Sequence, residues 1–135
     1  MTDREVEACR AYLLKGGFVM FDDFRGLEWD NLRAQMREVL PDLQFIELTG
    51  KEAIFHAFFE INSLDNIPNY YDPGKPIFRG IYEGNDPKKR LMAIVNYNTD
   101  VSQFWEWSGR GLFPFANTNE AYKLGVNYLI YGMTH

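Results

Sequence analysis

Three observations predict an α/β fold for this chain. Amphipathic helical stretches alternate with short apolar strands, one of those strands (Phe18 to Phe21) is apolar at every position, and two later strands flank a hairpin turn at Gly84-Asn85-Asp86-Pro87. The element order reads helix, strand, helix, strand, loop, strand, strand, helix, which fits one α/β layer with an antiparallel flank.

The first helix starts at a cap, Thr2 or Asp3, and carries Glu5 and Glu7 near its positive end. Val6, Cys9 and Leu13 recur at helical spacing and give it an apolar face, on which Cys9 is expected to be a buried structural thiol. Gly16-Gly17 stops the helix after Lys15. These glycines precede a strand, whereas nucleotide-binding glycines follow one and open a helix, so they do not form a phosphate loop. The unbroken run Phe18 to Phe21 predicts burial on both faces, as in a central parallel strand.

A second helix covers Glu28 to Leu40, with Trp29, Leu32, Met36 and Val39 as its core stripe and Arg33, Arg37 and Glu38 toward water. Gln44 to Leu48 reads as a short strand and Ala53 to Phe59 as a helical turn. Residues 60–76 hold three of the six prolines and read as a loop. Strands follow at Ile77 to Glu83 and Arg90 to Asn96. Tyr97 to Asn117 is a polar and aromatic loop, and a last helix from Asn119 to Met133 turns Ala121, Leu124 and Tyr128 inward.

A chain of 135 residues with 46% hydrophobic and 16% aromatic content reads as one domain, residues 1–135. A domain of this size buries about two thirds of its unfolded-chain surface. The net charge of -5 argues against nucleic acid as a partner, since duplex binding requires a basic stripe. The short run Lys88-Lys89-Arg90 reads as a solvated turn rather than a phosphate contact. A single cysteine excludes an intrachain disulfide and a cysteine-based zinc site, and two histidines exclude a multi-histidine metal site. No apolar run approaches the ~20 residues of a membrane span and none resembles a signal peptide, so the expectation is a soluble, cytoplasmic chain with no direct membrane insertion.

Open α/β sheets collect ligands beyond the carboxyl ends of their strands. Asp22, Asp23 and Arg25 stand at such an end and are candidate ligand-binding residues. Trp105 and Trp107, flanking Glu106, offer a platform for a sugar ring or a partner, or else cover the core beneath a long loop. His56, among apolar residues, is expected to be satisfied by a backbone carbonyl. No serine stands in a nucleophile elbow. A doubly wound sheet normally opens on a strand, and this sequence opens on a helix cap, so it is expected to lack an N-terminal β-α portion.

The runs YLLKGGFVMFDDFRG, EWDNLRAQMREVLPD, IFHAFF, IFRGIYE, RLMAIVNYNTD, WEWS and NEAYKLGVNYLIYGMTH resemble the bacterial domain-of-unknown-function family 4159 over nearly the whole chain. That resemblance implies a flavodoxin-like, class I glutamine amidotransferase-like three-layer sandwich, truncated at its N-terminus. Longer members of the family are implied to be exported or membrane-anchored. The amidotransferase nucleophile, a cysteine on a sharp turn after a strand, is missing, because Cys9 lies on a helix. By the same analogy the strand ending at Asn96 lies beside the one ending at Asp22, which would gather Asp22, Asp23, Asn98, Asp100 and Arg25 at one mouth. An all-oxygen set of this kind suits Ca²⁺ or Mg²⁺, and apart from these no cofactor is expected. The same residues also serve as ordinary turn and cap residues.

Two functions follow as expectations. One is a non-catalytic binding or assembly domain, with a carbohydrate, a small polar ligand, a protein or a second copy as partner. The other is a divalent-metal-dependent hydrolase working through Asp22, Asp23 and Asp100.

Overall fold

The computed structural model describes residues 2–24, 26–61, 64, 76–97, 99 and 115–135, and for Asp23 and residues 115–118 the backbone only. Helix α1 spans Asp3–Leu14, strand β1 Val19–Phe24, helix α2 Leu27–Val39 and strand β2 Ile46–Glu47. Strands β3 (Ile77–Tyr82) and β4 (Leu91–Tyr97) and helix α3 (Phe115–Thr134) complete the regular elements, with short 3-10 turns at Ala53–His56 and Glu83–Asn85.

The four strands form one mixed sheet in the order β1-β4-β3-β2. β1 runs parallel to β4, with Val19 beside Ala93 and Phe21 beside Val95. β3 is antiparallel to β4, and β2 is antiparallel to β3. The chain is therefore α/β with an antiparallel flank, as the element order implies.

Helices cover both faces. On one, α1 and α2 bury Val6, Leu13, Leu32, Met36 and Val39 against Ile81, Ala93 and Val95. On the other, α3 and the first 3-10 turn bury Leu124, Tyr128, Ile54 and Phe55 against Phe78 and Ile94. Burial of each such side chain contributes about 1.5–3 kcal/mol, so this double layer is what holds the sheet. The core stripe read for α2 is the observed one, with Trp29 half-buried at its edge.

One expectation is corrected. Among the described residues Phe18 to Phe21 is not a central strand buried on both faces: β1 lies at the edge of the described sheet, Met20 is 36% exposed, and Phe18, Val19 and Phe21 are half-buried. The fully buried strand is β4, flanked on both sides. An apolar run records that both faces meet apolar groups, but it carries no information on how many strands lie beside it.

Polar contacts fix the layers. Thr2 closes a capping box with Glu5: the Glu5 N–H donates to Thr2 Oγ1 at 3.2 Å and the Thr2 N–H to Glu5 Oε2 at 2.7 Å. Arg10 donates to the carbonyls of Val39 and Glu38 at 2.6 and 2.7 Å, placing a cation on the negative end of α2. Arg90 does the same for α1, donating to the carbonyls of Gly17 and Leu13 at 2.5 and 2.7 Å and tying that helix to the start of β4. Gly16 takes a left-handed φ of 113°, which explains a glycine at the stop of α1. On the α3 side, buried Asn127 accepts from the N–H groups of Phe58 and Phe59 and donates to the Phe59 carbonyl, which locks the turn onto the helix.

Among the described residues no helix is long and apolar enough to cross a membrane.

Candidate functional site

Because β1 and β4 are parallel, their carboxyl ends open at the same end of the sheet. Side chains alternate between faces along a strand, so Asp22 and Asn96 both point toward α3. There they meet Tyr128. The Asn96 amide Nδ2 donates to Asp22 Oδ1 at 2.9 Å, and the Tyr128 hydroxyl donates to Asn96 Oδ1 at 2.7 Å. An ionised carboxylate can only accept, so the Asn96 amide must turn its nitrogen to Asp22 and its oxygen to the phenol. Asn96 and Tyr128 are buried, and Asp22 is half-buried at the outer end of the chain of bonds. Burial pushes the Tyr128 phenol well above its ordinary pKa, the Asp22 charge pushes it further, and the bond to Asn96 partly opposes them. The phenol therefore remains a neutral donor at physiological pH.

On the opposite face of the same end lies Arg79. Its guanidinium carbon stands 4.6 Å from the Trp29 ring centre and 5.1 Å from that of Tyr97, a sandwich of two cation-π contacts. Its Nη1 is buried with no hydrogen-bond partner. Glu47 faces Arg79 directly across the β2–β3 ladder. A buried guanidinium nitrogen left without an acceptor is costly and uncommon, so this end of the sheet holds an unsatisfied donor on one face and an oriented acceptor on the other.

Of the residues expected at this mouth, the structure places Asp22 at the end of β1, facing Asn96, and Asp23 on the backbone of the same strand. Arg25, Asn98, Asp100, Trp105 and Trp107 lie outside the described residues, as does the side chain of Asp23. Among the described residues no three His, Cys, Asp or Glu side chains come together as a metal would require. Among the described side chains Asn96 bonds Asp22 and Tyr128 bonds Asn96, a chain that sequence reasoning passed over. Asn96 had a signal, since it ends the unbroken apolar run Leu91 to Val95, and Arg79 had the same signal inside Ile77 to Tyr82. Tyr128 had none, because its inward position read as core.

Two further expectations on chemistry can be placed. His56 does bond a backbone carbonyl, Gly50 O at 2.9 Å from Nε2, and its Nδ1 stands 2.6 Å from Glu60 Oε2. Cys9 is half-buried on α1 rather than fully enclosed, packs against the α1–α2 core, and has its thiol pKa raised by burial, which makes it a poor nucleophile.

Fold and site together define an α/β domain with helices on both faces of a mixed sheet and a polar cluster at the ends of its parallel pair. The chain belongs to the family described as a domain of unknown function, DUF4159, whose model matches residues 1–133. Among curated proteins none matches it.

Proposed function

We propose that this chain is a non-catalytic binding domain on a flavodoxin-like, amidotransferase-like scaffold without the catalytic cysteine, and that its ligand mouth lies at the carboxyl ends of β1 and β4. The observation that carries this reading is the Tyr128–Asn96–Asp22 chain of hydrogen bonds. Both inner members are buried and each donates outward, so Asp22 is held as an oriented acceptor at the rim. Ligand sites of α/β sheets use such oriented polar groups at strand ends. A hydroxyl-rich ligand, a carbohydrate or another small polar molecule, supplies the donors that Asp22 accepts.

The test is a thermal-shift series of the chain and Asp22→Asn with simple sugars, Ca²⁺ and Mg²⁺. A ligand binding only the folded state at a hundredfold excess over its dissociation constant stabilises it by about 2.7 kcal/mol. A sugar-dependent rise that vanishes in Asp22→Asn is the expected result. A rise with the divalent ions instead would favour the metal-dependent hydrolase using Asp22, Asp23 and Asp100. No rise with any of them would remove the ligand mouth from the proposal.

A second reading, assembly between copies, has its own observation. Among the described residues β1 pairs only with β4, so its outer edge offers unpaired backbone groups. Phe18 at the start of β1 packs edge-on against Tyr131 at 5.7 Å, which brings the last turns of α3 alongside that edge. Leu129 and Met133, one turn apart on α3, are 63% and 79% exposed. Two copies related by a two-fold axis could pair their β1 edges and cover both helices. Sedimentation velocity of the chain and of Leu129→Lys/Met133→Lys tests this: a dimer is expected for the first and a monomer for the second, and a monomeric parent chain removes the reading.

A further inference from the structure

A cleft lies at the other end of the sheet. It has a volume of about 550 Å³ and is bounded by the end of β3, the start of β4, the last turn of α3 and the 3-10 turn at Ala53–His56. That volume is in the range of small-molecule sites. Its wall carries four cations, Lys51, Lys88, Lys89 and Arg90, against one carboxylate, Glu52, in a chain whose net charge is -5.

Local bonding leaves this charge uncompensated. Glu52 is taken up by the turn before it, accepting from the N–H groups of Thr49 and Gly50 at 2.9 and 2.8 Å and from the Thr49 hydroxyl. Among the described residues neither Lys51 nor Lys88 forms an ion pair. Arg90 is held by the carbonyls at the end of α1 and cannot swing away, so its positive charge is fixed beside the cleft. Lys89 reaches back toward Gly84, and Lys51 and Lys88, both exposed, line the cleft from two separate turns. A cleft lined mainly by cations presents a positive potential that favours an anion.

Beneath the cleft lie the buried side chains of Ile54 and Leu91, with the largely buried phenols of Tyr82 and Tyr131 beside them. The Tyr131 oxygen accepts the Leu91 N–H at 2.7 Å, which leaves its own proton available to donate. Burial, reinforced by the Glu52 charge, pushes the Tyr82 phenol up to about 12, so it too remains a donor.

We infer that this cleft binds a phosphorylated small molecule, its phosphoryl groups beside Lys51, Lys88 and Arg90 and its body filling the rest of the cleft. Lysine acts as a compact point charge suited to phosphate, and phosphoryl groups carry the multiple negative charge that several converging cations require. A cleft of this size is much larger than one phosphate ion, which is why the body of the ligand belongs in the assignment.

Isothermal titration of the whole chain with sodium pyrophosphate at low ionic strength tests the inference, with citrate as a polycarboxylate comparison. Lys51→Gln/Lys88→Gln removes two ammonium groups that line the cleft, and Arg4→Gln/Arg37→Gln removes two exposed cations elsewhere. The expected result is saturable pyrophosphate binding that weakens about tenfold or more in the lysine double variant, holds in the arginine control, fades with added salt and exceeds citrate binding. No binding at millimolar pyrophosphate overturns the inference. So does equal weakening in both variants, which would mean diffuse surface charge, or citrate binding as tight as pyrophosphate, which would remove the phosphoryl assignment.

Discussion

The two ends of the sheet handle polarity in opposite ways. At the carboxyl ends of β1 and β4, Tyr128, Asn96 and Asp22 are joined by short hydrogen bonds with their inner members out of water. At the other end, Lys51 and Lys88 stand exposed around a cleft, and neither forms an ion pair among the described residues. The first arrangement is part of the folded core, so its removal must cost stability. The second forms no ion pair among the described residues, so its removal should cost little. Buried polar groups are costly to leave unpaired, whereas solvated charges are nearly neutral until a ligand arrives.

The largest expected effect touches both ends at once. Tyr128 at one end and Tyr82 and Tyr131 at the other all have phenol pKa values raised first by burial. In each case the folded state holds its proton more tightly than the unfolded chain. Their contribution is therefore fully present below pH 10 and lost as the pH rises, for Tyr82 over the window from 10 to about 12. Melting temperature against pH should fall steeply through that window, and Tyr128→Phe and Tyr82→Phe should each flatten part of the fall. A flat profile would mean the phenols are solvated.

Asn96→Leu comes next. It strands the Tyr128 hydroxyl and removes the donor to Asp22, and should cost about 3 kcal/mol in urea unfolding. Tyr128→Phe removes one bond and leaves an amide oxygen without its donor, at about 1–2 kcal/mol. If both variants cost less than this, the carboxyl end is not part of the core and the contrast fails.

Arg79→Met sharpens the contrast from the other face. It forfeits two cation-π contacts, about 1 kcal/mol, but also removes a buried nitrogen without a partner, so the net change should stay within about 1 kcal/mol. The smallest effect belongs to Lys51→Gln/Lys88→Gln, within about 0.5 kcal/mol. Its sign should be stabilising at low salt, because it relieves repulsion, and should vanish as salt is added. A substantial loss there would show that these lysines do serve the fold.

Much of the architecture was legible in the residues because it depends on local pattern. The Thr2–Glu5 capping box, the stop at Gly16-Gly17, the i, i+4, i+7 stripe of Leu32, Met36 and Val39, and the hairpin between Tyr82 and Leu91 all act over one or two turns of chain. The ligand mouth was legible only in part. Asp22 could be placed at a strand end, yet its partners Asn96 and Tyr128 lie 74 and 106 positions away and read as strand end and core. Lys51 and Lys88 share a cleft although 37 positions separate them, and the run Lys88-Lys89-Arg90 read as a solvated turn when Arg90 is in fact bonded to the end of α1.

The sequence by itself determined which segments are helical, which are extended, and that apolar groups must cover both faces of the sheet, since propensity, capping and periodicity act locally. Only the tertiary structure decided that among the described strands β1 is an edge and β4 inside the sheet, that Tyr128, Asn96 and Asp22 form one chain of bonds, and that lysines of two distant turns line one cleft. Strand order and cross-chain contacts depend on which surfaces fit together once the elements exist, and no single segment encodes that.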